Sequence, residues 1–322
     1  MLEKYTEQIN NQIDVYLKTL PDSGIYLPFK YIMNLGGKRF RPSLLLLATE
    51  LFNGSTKEAI HPAIGIEVFH NFSLVHDDIM DDAPLRRGKS PVHLKWDLNM
   101  GILSGDVMFA QANSLIASCY PHHLKQVVRL YNQTAIEVCE GQDLDMEFET
   151  RDDVSLENYI EMIRLKTAVL VACALKIGAV IGDADSNDAA LIYDFGINLG
   201  IAFQIHDDIL DLYGDQKVFG KQIGGDIVEG KHSVLLITAK AQANKQQLVK
   251  ITELLKNSDL SNEEKVKEVS FIYNQLNVKN LASILQNDYY NKALNAVEGL
   301  TISTKNKNIL YSFAENLMNR EV

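Results

Sequence analysis

The chain has 322 residues, 46% of them hydrophobic and 23% charged, an ordinary globular composition with enough apolar material for a substantial core. Its net charge of −11, from 31 basic and 42 acidic residues, repels polyanions and argues against nucleic acid or an anionic membrane as the main partner. Cys119, Cys139 and Cys173 stand without a CxxC pair or a His-Cys cluster, which argues against zinc and against a disulfide framework; they read as small buried apolar residues of a reducing compartment.

The N-terminal MLEKYTEQINNQ carries acids and amides where a signal peptide needs an apolar run. The basic turn Gly36-Gly37-Lys38-Arg39-Phe40-Arg41-Pro42 precedes an apolar helix at Leu44–Leu47, and Asn53-Gly54 reads as an inter-helix turn. An apolar helical run from Ile64 to Phe69 leads into Asp77-Asp78-Ile79-Met80-Asp81-Asp82, and Pro121-His122-His123 reads as a second turn. All seven prolines lie at or before Pro121. An interior proline costs a helix ~3 kcal/mol, so the proline-free remainder is expected to be helical.

Leu156, Tyr159, Ile160, Ile163, Thr167, Leu170, Ala174 and Ile177 repeat at helical spacing, with Ser155 as N-cap and Gly182 as stop. The longest apolar stretch, Ala168 to Gly182, is broken by Lys176 and too short for a bilayer span, so a cytoplasmic protein without a membrane anchor is expected. Residues 186–213 form a further helix through Ala190, Tyr193, Ile197, Ile201 and Ile205, ending in Asp207-Asp208-Ile209-Leu210-Asp211. Five glycines between Gly214 and Gly230 mark one long functional loop. No two-residue alternation and no internal repeat is present, which predicts an all-α single domain over residues 1–322.

The two acidic clusters carry the chemistry. In each DDxxD the outer aspartates are four apart and share a helix face, where like charges repel unless a cation compensates. Paired carboxylates are donors for Mg²⁺, which also takes water and phosphate oxygens. One such run is usually a solvated helix end. Two runs, each at the end of an apolar helix and each preceded by a histidine (His76, His206), point to metal ions gripping a diphosphate between them.

The chain closely resembles the trans-isoprenyl diphosphate synthases, the polyprenyl synthetase family. The likeness runs from about Gly36 to Lys231 through the basic turn, the first aspartate motif with Arg86-Arg87-Gly88, Lys166-Thr167, Phe203-Gln204 with the second motif, and Gly230-Lys231. It implies an isoprenoid synthase-type helical bundle around a central cavity, a homodimer, and about three Mg²⁺ per active site. The reaction it implies is head-to-tail condensation of isopentenyl diphosphate with an allylic diphosphate. By the same likeness Asp77, Asp81, Asp207 and Asp211 hold the metal, with Asp78 and Asp208 as direct or supporting partners. Arg86, Lys166, Lys221 and Lys231 contact the allylic diphosphate. Lys38, Arg41, His70 and Arg87 hold isopentenyl diphosphate, while Thr167 and Gln204 lie near the reacting carbons and the departing oxygen. The chain departs from the family pattern at His232-Ser233-Val234-Leu235 after Gly-Lys, and at Ser90-Pro91.

The growing chain needs an apolar tunnel beneath the first cluster. Phe72 lies roughly 7.5 Å below Asp77 along a helix and Phe69 about 12 Å below, with the small Ser73 beside them. That pattern resembles short-chain enzymes making geranylgeranyl diphosphate; farnesyl or longer products are the alternative. A terpene cyclase needs no second diphosphate site, and non-catalytic partner subunits commonly lose one aspartate cluster, whereas both clusters are present here.

Overall fold

Helix α1 (Glu3–Thr19) buries Tyr5, Ile9, Ile13 and Leu17, a stripe at helical spacing that turns one face inward. Helices α2 (Tyr26–Asn34), α3 (Phe40–Leu51) and α4 (Thr56–Met80) follow. Helix α4 is buried around most of its circumference from Ala59 to Phe69, which makes it a central helix. Pro62 stands inside α4. Its ring removes one bond to the preceding turn, a loss the packing of α4 on α3 and α6 offsets. Helix α5 (Val92–Lys95) is short, and α6 (Leu98–Ile116) is capped by Asp97, whose side chain accepts from Met100 N at 2.7 Å.

The computed structural model describes residues 2–214, 223–257 and 259–319. Helix α7 (Pro121–Glu149) corrects one expectation: Pro121-His122-His123 is the first turn of a helix, because proline's fixed φ and missing N–H suit that position. Cys173 is buried as expected, but Cys119 is half-buried and Cys139 is exposed on α7; none of the three forms a disulfide. Helix α8 (Leu156–Ile163) starts at a capping box in which Ser155 and Asn158 satisfy each other's backbone N–H. The continuous helix expected to Val180 is interrupted by a π-helical segment, Arg164–Ala168, before α9 (Val169–Ile181) resumes and ends at Gly182. Gly141 of α7 explains the close quarters there: a Cβ on it would overlap the Lys166 backbone.

Helix α10 (Ser186–Tyr213) has the expected bounds. Within the glycine-rich stretch the described part contains a short helix, α11 (Gly225–Glu229), bracketed by Gly224 at φ 78° and Gly230 at φ 70°, so it is not one uninterrupted loop. Helices α12 (Val234–Gln242), α13 (Lys245–Lys256), α14 (Asn262–Gln275), α15 (Val278–Gly299) and α16 (Thr304–Met318) complete the chain. Among the described residues there is no strand, only an isolated bridge between Arg86 and Lys89. None of the described helices is long and apolar enough to cross a membrane.

Two compact units are formed. The first comprises Met1–Ala135, Leu170–Tyr193 and Leu300–Ile302, with Phe29, Leu44, Leu46, Phe69 and Tyr131 in its core. The second comprises Ile136–Val169, Asp194–Gly299 and Ser303–Val322, built on Phe148, Tyr159, Ile163, Ile201, Ile205, Leu236 and Tyr273.

Candidate active site

In the first unit the basic turn before α3 divides its labour. Arg39, at φ 47°, is buried and donates to Asn10 Oδ1 (3.0 Å), Glu67 Oε1 (2.7 Å) and the Met33 carbonyl (2.7 Å), so it staples α1, α2 and α4 together. Lys38 beside it is exposed. Arg41 Nη1 lies 3.3 Å from His70 Nε2. Burial, with Arg41, Arg87, Arg86 and Arg39 following in effect, holds His70 well below the ordinary imidazole range. His70 is therefore neutral, and its Nε2 accepts from Arg41. A tight turn, closed by Arg86 N to Lys89 O (2.8 Å) with Arg87 at φ 52° and Gly88 at φ 72°, carries the two adjacent arginines. Arg87 donates to the Gly36 carbonyl, which brings it onto the same basic turn.

The first aspartate motif closes α4. Asp78 is fully buried and takes Arg86 through Nε (2.9 Å) and Nη2. Asp77 is half-buried, and Asp81 is the exposed C-cap, its N–H donating to the Asp77 carbonyl at 2.8 Å. His76, just before the motif, fits against Gly105 of α6, where any Cβ would overlap the imidazole, and lies 3.2 Å from the Ile102 carbonyl. Earlier on α4, Phe69 meets Phe72 (5.4 Å between centroids), Phe109 (6.1 Å) and Tyr131 (5.5 Å), an aromatic cluster with Ser73 on the same helix.

The second unit encloses a cavity of about 150 Å³ lined by Asp145, Lys166, Thr167, Gln204, Asp208, Asp226 and Lys231, with Tyr159, Met162 and Ile163 as its apolar side. The π segment presents Lys166 and Thr167 here; such widened turns recur at functional sites because they re-aim side chains within a helix. Lys166 Nζ pairs with Asp145 Oδ2 at 2.5 Å, and Thr167 Oγ1 donates to Gln204 Oε1 at 3.4 Å. Asp208 accepts from Tyr159 Oη (2.7 Å), Val234 N (2.9 Å) and Gln204 Nε2 (3.2 Å), which ties α10 to the segment after Lys231. Burial pushes the Asp208 carboxyl up, while those three bonds oppose the shift. Asp211 holds α11 through Asp226 N (3.1 Å) and Gly224 N (2.8 Å). Burial opposes charge on Lys231, but Asp145, Asp226, Glu229 and Asp208 together more than offset it and raise that ammonium above its usual value. Lys221 lies outside the described residues.

The two motifs share one design. In each, the middle aspartate (Asp78, Asp208) is buried and bonded by protein donors, while Asp77, Asp207 and Asp211 are half-buried and Asp81 is exposed. Asp78 Oδ2 is buried without a hydrogen-bond partner among the described residues, a lone carboxylate oxygen that a cation or its water would satisfy. The donors are all carboxylate oxygens, a hard set that fits Mg²⁺.

The family model for polyprenyl synthetase matches residues 22–273. The short chain isoprenyl diphosphate synthase of Methanothermobacter thermautotrophicus is 35% identical over 322 residues, 100% of this chain and 98% of that protein. The geranylgeranyl diphosphate synthase of Sulfolobus acidocaldarius is 36% identical over 304 residues, 92% of this chain and 91% of that protein. A crystal structure of a geranylgeranyl pyrophosphate synthase superposes with a TM-score of 0.94 at 41% identity, covering 100% of this chain and 99% of that one. The chain belongs to the polyprenyl synthetase family. It is a trans-prenyltransferase with the all-α isoprenoid synthase fold, and its family binds diphosphate substrates with a divalent metal.

Three residues lining the cavity of the second unit, Asp145, Tyr159 and Asp226, escape the sequence motifs. Asp145 and Tyr159 stand in ordinary amphipathic helices, and nothing in their spacing sets them apart. Asp226 is different: an acid between glycines and Lys231 inside a stretch already expected to be functional carries a readable signal. Burial, followed by Asp208 and Asp211, pushes its carboxyl up to about 7.

Proposed function

We propose that the enzyme condenses isopentenyl diphosphate with an allylic diphosphate to make all-trans geranylgeranyl diphosphate. The observation that carries two-diphosphate chemistry is the guanidinium cluster around neutral His70. Arg86 is committed to Asp78, but neither Arg41 nor Arg87 forms an ion pair with a carboxylate among the described residues. Two forked donors beside the exposed Lys38 suit a diphosphate bound without metal, which a cyclase has no reason to keep.

Lys38, Arg41, His70 and Arg87 are assigned to isopentenyl diphosphate. Lys166, Lys231, Arg86 and Lys221 are assigned to the allylic diphosphate, and Asp77, Asp81, Asp207 and Asp211 to about three Mg²⁺. Bound magnesium would supply Lewis-acid charge stabilisation to the leaving diphosphate. Ionisation breaks the allylic carbon–oxygen bond, and Lys166 and Lys231 neutralise the charge gathering on the leaving group. Before substrate arrives Lys166 is held by Asp145, so its ammonium is already oriented on the π segment. The Thr167 hydroxyl and the Gln204 amide turn dipoles toward the electron-poor carbon. The alkene of isopentenyl diphosphate attacks that carbon, and a proton then leaves for the released diphosphate.

The catalytic body is read as one domain over residues 1–322, since the two compact units interleave along the chain and neither is a contiguous stretch. A homodimer is supported by exposed apolar residues on α6, namely Leu98, Ile102 and Leu103. A cytoplasmic setting is consistent with three cysteines that form no disulfide.

Incubation with Mg²⁺, labelled isopentenyl diphosphate and allylic primers of increasing length tests the assignment. A C20 product is expected. A cyclic hydrocarbon, or no turnover with any primer, would refute it, and a C15 or C25 product would refute the length alone.

A further inference from the structure

At the start of α7 two histidines unused by prenyl transfer meet a distant aspartate. His122 and His123 occupy the first turn after Pro121, and Asp183 stands in the turn after α9 at φ 60°. One ligand atom from each lies within 4.8 Å of the other two. His123 is buried, whereas His122 and Asp183 face solvent.

The separation of His123 Nε2 from Asp183 Oδ1 is 3.5 Å, longer than a good hydrogen bond. It suits the edge of a coordination polyhedron, because ligand atoms about 2.0–2.1 Å from one ion at the tetrahedral angle stand roughly 3.3 Å apart. The two imidazole rings approach to 3.8 Å between centroids, which brings nitrogens from both within reach of one ion. A plain His123–Asp183 ion pair would use only two of these groups. The second imidazole is what an ion adds.

We infer that His122, His123 and Asp183 form a binding site for a borderline divalent transition metal, zinc or nickel or copper in its place. Two imidazoles and one carboxylate are a donor set of that class, and the soft thiolates of a cysteine site are not required. Burial, and then His122, hold His123 below its ordinary range, so it presents the neutral imidazole that ligates. Glu58, in the first turn of α4, acts electrostatically on both His123 and Tyr120, and it or water would complete the shell. The ion staples the turn after α9 to the start of α7. Glu58 and Asp77 lie near opposite ends of α4, roughly 28 Å apart at about 1.5 Å per residue, so this site and the magnesium-binding carboxylates depend on different residues.

The test uses untagged full-length protein, stripped with EDTA and returned to excess MgCl₂, then titrated with Co²⁺ as a spectroscopic probe and with Zn²⁺ by calorimetry. One equivalent of Co²⁺ should give the visible band of four- or five-coordinate cobalt, and Zn²⁺ should displace it and raise the melting temperature. His122→Ala, at an exposed position, and Asp183→Asn, which keeps a residue tolerant of positive φ, should each weaken binding at least about tenfold. Both variants should transfer prenyl groups at the parental rate in Mg²⁺. Absence of a bound equivalent in the presence of magnesium, or identical titrations of both variants and the parent, would overturn the site.

Discussion

Arg39 and Lys38 are neighbours in sequence with opposite physical roles. Arg39 neutralises Glu67, which is 2% exposed, and bonds two further acceptors. Arg39→Ala leaves that carboxylate buried without its cation and should lower folding stability by about 3–5 kcal/mol in urea denaturation. Lys38→Ala removes an exposed charge, should change stability by less than about 0.5 kcal/mol, and should raise KM for isopentenyl diphosphate. Asp226 makes a pH prediction. Its folded value of about 7 lies above the ordinary 3.8, so the folded state binds the proton more tightly and stability falls as pH rises between those values. In EDTA, Asp226→Asn should melt roughly 2–4 °C above the parent beyond pH 7 and converge with it near pH 4. Parallel melting curves across that range would show that Asp226 titrates normally.

At the scale of elements, α4 and the α8–π–α9 run each carry core residues and candidate site residues together. Helix α4 ends in the aspartate motif and carries the aromatic cluster on the same rod, so on the proposed reading one helix would set both product length and metal binding. Phe72 is half-buried, and Phe72→Ala should shift the products to longer chains on chromatography with modest loss of stability. Phe69 touches Phe72, Phe109 and Tyr131 and is fully buried. Phe69→Ala should therefore also lose about 3–5 kcal/mol. If neither variant lengthens the product, the floor lies elsewhere. The π segment shows why helical periodicity alone places Lys166 imperfectly: one widened turn rotates everything after it, and apolar spacing on either side reads the same.

At the scale of the whole molecule, an acidic chain of net charge −11 concentrates cations locally, which is what anionic substrates would require of it. Four arginines act on a single histidine in the first unit, and Lys166 and Lys231 line one cavity in the second. The field at short range is set by these neighbours and only weakly by remote surface charge, which salt screens. The α6 ridge gives the remaining prediction: Leu98 is 53%, Ile102 41% and Leu103 53% exposed. The parent should sediment near twice 36.1 kDa, and a paired Ile102→Asp, Leu103→Asp change should yield monomer.

The helical class, the bounds of α10, the capped start at Ser155, both aspartate motifs and the basic turn all follow from local pattern, because helix periodicity, caps and motif spacing are written in consecutive residues. Tertiary structure alone decided which charge is spent on a buried carboxylate and which is not. Arg39 and Arg41 look alike in the sequence, yet one is locked to Glu67 and the other turns to His70. Asp145 finds Lys166, and His123 finds Asp183, across distances in the chain that carry no periodic signal. Burial and partner choice are properties of packed surfaces, and they exist only once remote segments have come together.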